Sequence, residues 1–395
     1  MMTVFSLISF FFIGVSLYLM LLTGASFLFK KKVGKNSVPL TLAVVIPAHN
    51  EALLIRDAIE AVARSRYPEC CYGVIVIADN CQDDTAAVAE QAGARVLVRS
   101  DALRRGKGQA LDWFLKERQD FYASYDGIAI IDADTLVDQN FLHEVSASLS
   151  HPDVQVVQGY YGVLNAEESW RTALMSAALS VFHHVRPAGR NRLGGSAGLK
   201  GNGMAFQTSL LKRYGWPAHS VVEDLEFGAQ MLLDGICIQY NPDAVVLAEM
   251  AATRKQAETQ RLRWEGGRYE IFRNYAPALL CRSLRQRRFC YFDGFMDLLI
   301  PPLSALFLAL GLLLIASRWL CPFMSLPLGF ALAGLVCYVA SGLLLRKAPL
   351  AVWLYLIAAP FFILWKIPLY LKILKGGADN EWIRTKRKAE RRQND

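Results

Sequence analysis

Four short clusters of carboxylates, amides and cations in this 395-residue chain have the composition of a reaction site. They are Pro47-Ala48-His49-Asn50-Glu51, Asp79-Asn80-Cys81-Gln82-Asp83-Asp84, Asp132-Ala133-Asp134 and Val222-Glu223-Asp224. Turn and N-cap chemistry accounts for any one of them, since Asp and Asn favour both. Three carboxylate clusters, two of them at strand ends on one sheet edge, ask for more. Asp132 and Asp134 flank one small residue and can share a hard cation. Magnesium and manganese take carboxylate oxygens and leave their open side to phosphates. Such an ion would neutralise charge on a diphosphate leaving group. Arg104-Arg105-Gly106-Lys107-Gly108 precedes a helical pattern, and cations at a helix N-terminus suit a phosphate. GxxxxGK[ST] is absent, so this is not a P-loop. In Gln260-Arg261-Leu262-Arg263-Trp264, residues Gln260, Arg263 and Trp264 share a helix face. They offer a diphosphate a guanidinium fork and a flat ring.

The elements that must position these residues are short apolar runs alternating with helical patterns. Leu42 to Ile46, Val74 to Ile77, Arg95 to Val98, Ile128 to Ile131 and Val154 to Val157 read as strands. Helical patterns follow Glu51, Thr85, Gly108 and Asn140. Near-continuous apolar strands separated by helices predict an α/β domain with a parallel sheet covered on both faces. Ligands of such sheets bind beyond the carboxyl ends of the strands, where the first three clusters fall.

Hydrophobic residues make up 53% of the chain, while 20% is charged, so the apolar excess is segmental. Val4 to Phe29 is an uncharged run long enough to cross a bilayer, and Lys30-Lys31-Lys32 follows it. A signal peptide has the reverse polarity, so the run predicts a retained transmembrane helix ending in the cytoplasm. Leu298 to Ser317 and Phe323 to Leu345 predict an out-and-back pair. Leu350 to about Leu374 carries Pro360, Pro368, Lys366 and Lys372, and either spans or lies re-entrant. The expected division is a transmembrane helix with basic flank at 1–37, a catalytic domain at 38–280, a membrane region at 281–375 and a basic tail at 376–395. The formal charge of +8 sits largely beside apolar segments, which suits lipid headgroups rather than nucleic acid. None of the eight cysteines forms a CxxC pair, consistent with reduced thiols in a cytoplasmic domain.

Taken together and in order, VVIPAHNE at 44–51, ADNCQDDT at 78–85, DAD at 132–134, ED at 223–224 and QRLRW at 260–264 resemble the family 2 glycosyltransferases. The resemblance is to the membrane-integrated branch with cellulose, chitin-oligosaccharide, poly-N-acetylglucosamine and hyaluronan synthases. It implies a GT-A, Rossmann-like nucleotide-sugar domain inserted between transmembrane helices. With the residues read above, it gives Pro47, Glu51, Asp79, Lys107, Asp132, Glu223, Gln260, Arg263 and Trp264 as the candidate substrate-binding set. Asp132 and Asp134 match the metal-binding DxD, Asp224 the general base, and Gln260, Arg263 and Trp264 the QxxRW motif. Magnesium or manganese is the implied cofactor. The implied partners are a nucleotide-sugar donor, typically a UDP-sugar, a saccharide or lipid-linked acceptor, and membrane lipids. A homo-oligomer or accessory protein would complete any narrow channel. The expected location is the bacterial inner membrane, with the catalytic domain in the cytoplasm. Two departures stand out: Val222 replaces the Thr of TED, and the paired acids of the second strand read Ala78-Asp79.

Inverting sugar transfer to a growing polysaccharide is the function this resemblance predicts. Addition of one sugar to a lipid-linked acceptor is the alternative, and product length separates the two. Gly201-Asn202-Gly203 falls where related enzymes shape the acceptor pocket, or is an ordinary loop. Gly194-Gly195-Ser196-Ala197-Gly198 matches a nucleophile elbow, but no strand precedes it and no acid lies between Ser196 and the last histidine, His219.

Overall fold

The structure, a computed structural model, describes residues 2–34, 38–250 and 254–368, the side chains of 254–263 excepted. By compactness the chain forms two units, each built from separated stretches. One comprises Lys30–Leu164 and Ser196–Ala251. The other takes in the described residues of 2–29, 165–195 and 254–368. The stretch 165–195, which the sequence reading gave to the catalytic domain, thus packs with the apolar helices.

The first unit is an eight-stranded sheet with helices. Its strands are β1 (Leu42–Ala48), β2 (Tyr72–Asp79), β3 (Arg95–Arg99), β4 (Gly127–Ile130), β5 (Thr135–Val137), β6 (Val156–Val163), β7 (Met204–Gln207) and β8 (Gln239–Ala248). Their spatial order is β3-β2-β1-β4-β7-β6-β8-β5. The first four are parallel, as the apolar runs predict; Leu42 to Ile46 are fully buried. The sheet as a whole is mixed rather than parallel. β7 runs antiparallel to β4 and β6, and β5 antiparallel to β8. The later strands escape a reading by apolar runs for local reasons. β7 is short, and β8 carries Asn241-Pro242-Asp243, which reads as a turn. The β6–β8 register jumps there, so Pro242 sits in a bulge and removes no ladder bond.

The antiparallel course of β7 has a consequence for the site. Ile130, the last residue of β4, pairs with Met204, the first of β7. The loop entering β7 therefore meets the turn leaving β4. Pro47 is tolerated inside β1 on similar grounds. Its neighbour on the β4 side is gone beyond Val45, whose carbonyl takes the N–H of Ile131. A missing N–H at Pro47 leaves no ladder bond unmade.

In the second unit, Met2–Phe27, Leu303–Leu320 and Pro322–Leu345 are long and apolar enough to cross a membrane. Pro301-Pro302 ends the helix before Leu303, which sets the start of that span later than the apolar run suggests. The described part of the last apolar stretch is broken into Leu350–Tyr355 and Ala359–Trp365. The helices Trp170–Ser180 and Arg186–Arg192 flank a π-helical turn at Val181–Val185 and pack in this unit too. Gly189 allows the closest approach: a Cβ there would collide with the Leu22 backbone. Gly189→Ala is therefore expected to cost about 1–3 kcal/mol by overpacking. Thermal unfolding of the full chain in detergent checks this, and an unchanged midpoint would refute it.

Candidate active site

The carboxyl ends of β1, β2 and β4 and the start of β7 form one edge of the sheet, and most of the chemically suggestive residues assemble there. At the end of β1 and β2, Asn50 and Asn80 take positive φ (55 and 52), a conformation Asn tolerates. Both brace neighbouring loops. Gln82 donates its N–H to Asn50 Oδ1 (2.7 Å), and Asp101 donates to Asn80 Oδ1 (2.8 Å). His49 Nδ1 lies 2.7 Å from the Asp79 carbonyl. Glu51 donates its backbone N–H to Thr85 Oγ1 (2.8 Å) and is half-buried, as is Pro47. Asp79 is buried and ion-paired to Arg99 at 2.5 Å, with Asn80 Nδ2 donating to the same oxygen. A buried carboxylate fixed by one guanidinium keeps its second oxygen for another donor.

The second group centres on Lys107, the first residue of the Lys107–Glu117 helix. Its Nζ pairs with Asp132 Oδ1 at 2.5 Å and donates to the Gly201 carbonyl. Asp132 is oriented by Asn202, which accepts the Asp132 N–H at Oδ1 (3.2 Å) and donates from Nδ2 to Thr135 Oγ1 (2.7 Å). Asn202 is fully buried, and Gln158 Nε2 donates to its carbonyl. Asn202 thus ties the DxD turn to β5 through its side chain and to β6 through its carbonyl. Thr135 Oγ1 lies 3.5 Å from Asp134 Oδ1.

Glu223 and Asp224 open the Glu223–Leu233 helix and act electrostatically on Lys107. Gly201 has φ +77, and a Cβ there would stand 3.3 Å from Asp224 Oδ2. Burial raises Asp224 above the ordinary carboxylate range, with the Leu225 N–H, Lys107 and Lys200 pulling it back. Glu223 is pushed up to about 7 by burial and by Asp224, against the pull of Lys107. Burial would depress Lys107, but Asp132, Glu223 and Asp224 outweigh it and hold the ammonium above the usual lysine range.

This arrangement carries a stability prediction. An unfolded Glu ionises at about pH 4.3, as in model peptides. Folded Glu223 keeps its proton up to about 7. Between these values the folded state holds more protons, so stability falls as pH rises through that window. Glu223→Gln is expected to flatten this fall. The melting temperature between pH 5 and pH 8, without metal or nucleotide, is the measurement; parallel curves for both proteins would refute it.

The DxD turn fits a hard divalent cation. Two carboxylates flank buried Ala133, and Asp132 already accepts a cation in the Lys107 ammonium. Among the described residues, no group of three or more His, Cys, Asp and Glu side chains could hold a metal. The protein would supply two oxygens, leaving the remaining positions to phosphate and water.

Lys107, Asp132, Glu223 and Asp224 are thus brought together. Pro47, Glu51 and Asp79 line the neighbouring strand ends. Trp264 belongs to the other unit, half-buried in the Arg254–Gln286 helix. The side chains of Gln260 and Arg263 lie outside the described residues. Sequence reasoning passed over Thr135, Gln158 and Lys200 and assigned Asn202 no specific role; a polar residue between two glycines was the available signal. Ser196 is buried and accepts the Ile238 N–H at Oγ (3.0 Å), a structural role rather than a nucleophile's.

Residues 39–267 match the model of the family described as glycosyltransferase like family 2. That is more than half of the chain, and the chain belongs to this family. The fold is accordingly α/β of the GT-A type with flanking apolar helices. A probable glycosyltransferase of Bacillus subtilis strain 168 is 25% identical over 241 residues, covering 59% of this chain and 56% of that protein. The beta-monoglucosyldiacylglycerol synthase of Trichormus variabilis is 27% identical over 263 residues, covering 64% and 54%. The poly-beta-1,6-N-acetyl-D-glucosamine synthase of Staphylococcus aureus strain COL is 24% identical over 238 residues, covering 58% and 55%. The chain spans about half the length of the curated relatives it matches.

Proposed function

We propose that this chain is an inverting glycosyltransferase that moves a sugar from a nucleotide-sugar donor to an acceptor held at a membrane. The observation that carries the reading is that Asp132 and Asp224, from distant parts of the sequence, both neighbour Lys107 and the Gly201 loop. The acceptor hydroxyl attacks the anomeric carbon as its proton passes to Asp224, whose raised affinity for protons suits a base. The bond from that carbon to the diphosphate oxygen breaks, and the nucleotide diphosphate leaves with the electron pair. Single displacement inverts the anomeric centre. Lys107 stabilises the leaving charge, and Asp79 and Glu51 stand at the strand ends suited to the nucleotide. A magnesium or manganese ion held by Asp132 and Asp134 would supply further charge neutralisation on the diphosphate.

The acceptor is a growing polysaccharide in the first reading, and the similarity to a poly-N-acetylglucosamine synthase supports it. The similarity to a glucosyldiacylglycerol synthase supports single addition to a lipid. The domain faces the cytoplasm in this proposal, because Lys30-Lys31-Lys32 follows the first span. Nucleotide release by the lipid-reconstituted protein against a panel of nucleotide-sugars tests the activity. Release from one donor, abolished by chelator, is the expected result. No release from any donor, with membrane lipids and saccharide primers added, would overturn it. A polymer ladder or a single adduct then decides the acceptor.

A further inference from the structure

The helical unit contains buried ionised side chains to which sugar transfer gives no task. Arg186 and Arg190 lie one turn apart on one helix, and Asp293 and Asp297 one turn apart on another, so the two pairs mate. Arg190 Nε contacts Asp293 Oδ2 at 2.9 Å, and its Nη1 contacts Asp297 Oδ2 at 2.9 Å. Tyr18, on the first span, donates to Asp293 Oδ1 (2.6 Å). Arg268 donates to the Asp297 carbonyl. A fourth cation, Lys366, pairs with Glu265 at 2.8 Å. Four cations thus face three carboxylates among the described side chains.

The surplus charge sits beside donors that lack acceptors among the described residues. Arg186 is 2% exposed. Its Nη2 lies 3.2 Å from Asp297 Oδ1 but without the alignment of a hydrogen bond, and its Nε has no partner either among the described residues. The Tyr338 hydroxyl, on the Ser325–Leu345 span, is equally buried, has no partner among the described residues, and lies within electrostatic reach of Arg186 and Asp297. Leaving such groups unmade in an apolar setting is costly. A water molecule could accept their hydrogen bonds but would leave the surplus positive charge uncompensated. An anionic oxygen ligand answers both needs, and guanidinium with hydroxyl is a phosphate-binding pair.

We infer that Arg186 and Tyr338 form an anion site inside the helical unit that takes a phosphate group, from a lipid headgroup or as the free ion. The site lies within one unit and does not rest on the transferase reading. The test uses the purified full chain in detergent. One arm measures retention of dioctanoyl phosphatidic acid by native mass spectrometry; the other measures the melting shift with inorganic phosphate. The wild-type protein is expected to bind in at least one arm. Tyr338→Phe, which removes only a hydroxyl and keeps the ring, is expected to weaken that binding about 10-fold, the scale of one hydrogen bond to a charged group. Arg186→Gln is expected to weaken it further. Retention of the lipid assigns the phosphate to a headgroup; a response to inorganic phosphate alone assigns it to the free ion. Wild-type protein that responds in neither arm, or Tyr338→Phe that binds like the wild type, would overturn the site and leave its donors to water.

Discussion

Asp224→Asn is expected to lower sugar transfer by about 10²–10⁴-fold, the range for loss of a positioned general base. The substitution keeps size and the hydrogen bond from the Leu225 N–H, so the fold and the adjacent Gly201 loop have no reason to move. Nucleotide binding in the presence of manganese should change little, because Asp132 and Asp134 are untouched. The loss therefore belongs in kcat. Glu223 is the competing base, one residue away and holding its proton to about 7. The two single variants separate them. If Glu223→Gln is inactive and Asp224→Asn transfers sugar at the wild-type rate, the roles are exchanged and the assignment of Asp224 fails. Product formation from a saturating donor, rather than donor hydrolysis, is the quantity to follow.

The parts of this site that could be read from sequence are those with a local signature. Strands β1 to β4 are apolar and bounded by turn residues, so their carboxyl ends could be located, and with them Glu51, Asp79 and Asp132. The meeting of Asp132 with Asp224 could not be read the same way. It depends on β7 running antiparallel, which delivers Gly201 and Asn202 to the DxD turn, and β7 is too short for its pattern to announce it. The role of Lys107 was similarly hidden. Its position beside glycines suggested a phosphate, but no local pattern pointed to its ammonium bridging Asp132 and the Gly201 carbonyl. In the other unit, the segment 165–195 is joined to the rest by Arg186 and Arg190 meeting Asp293 and Asp297, about a hundred residues on, and by apolar packing. No local periodicity records a pairing at that separation, and arginines in a helix read as a solvated face.

Lys107→Met should have the second large effect, and its signature is distinctive. The ammonium is the nearest cation to Asp132 and also acts on Glu223 and Asp224. Its removal leaves three carboxylates at close quarters. Two consequences follow with opposite signs. Lys107 pulls the proton affinities of Glu223 and Asp224 down, so without it both rise and the acid limb of the rate profile moves to higher pH. At pH 7 transfer should fall by about 10²–10³-fold, as for the loss of one charge-stabilising donor, with part of the activity returning at alkaline pH. The divalent ion, by contrast, no longer competes with an ammonium for Asp132, and two cations no longer repel across that carboxylate. Manganese should therefore bind more tightly to the variant than to the wild type. A misfolded protein would lose both transfer and metal binding, so the combination of slower transfer with tighter manganese is specific to the proposed role. An unmoved pH profile with unchanged manganese affinity would show that Lys107 does not couple the DxD carboxylate to the catalytic pair.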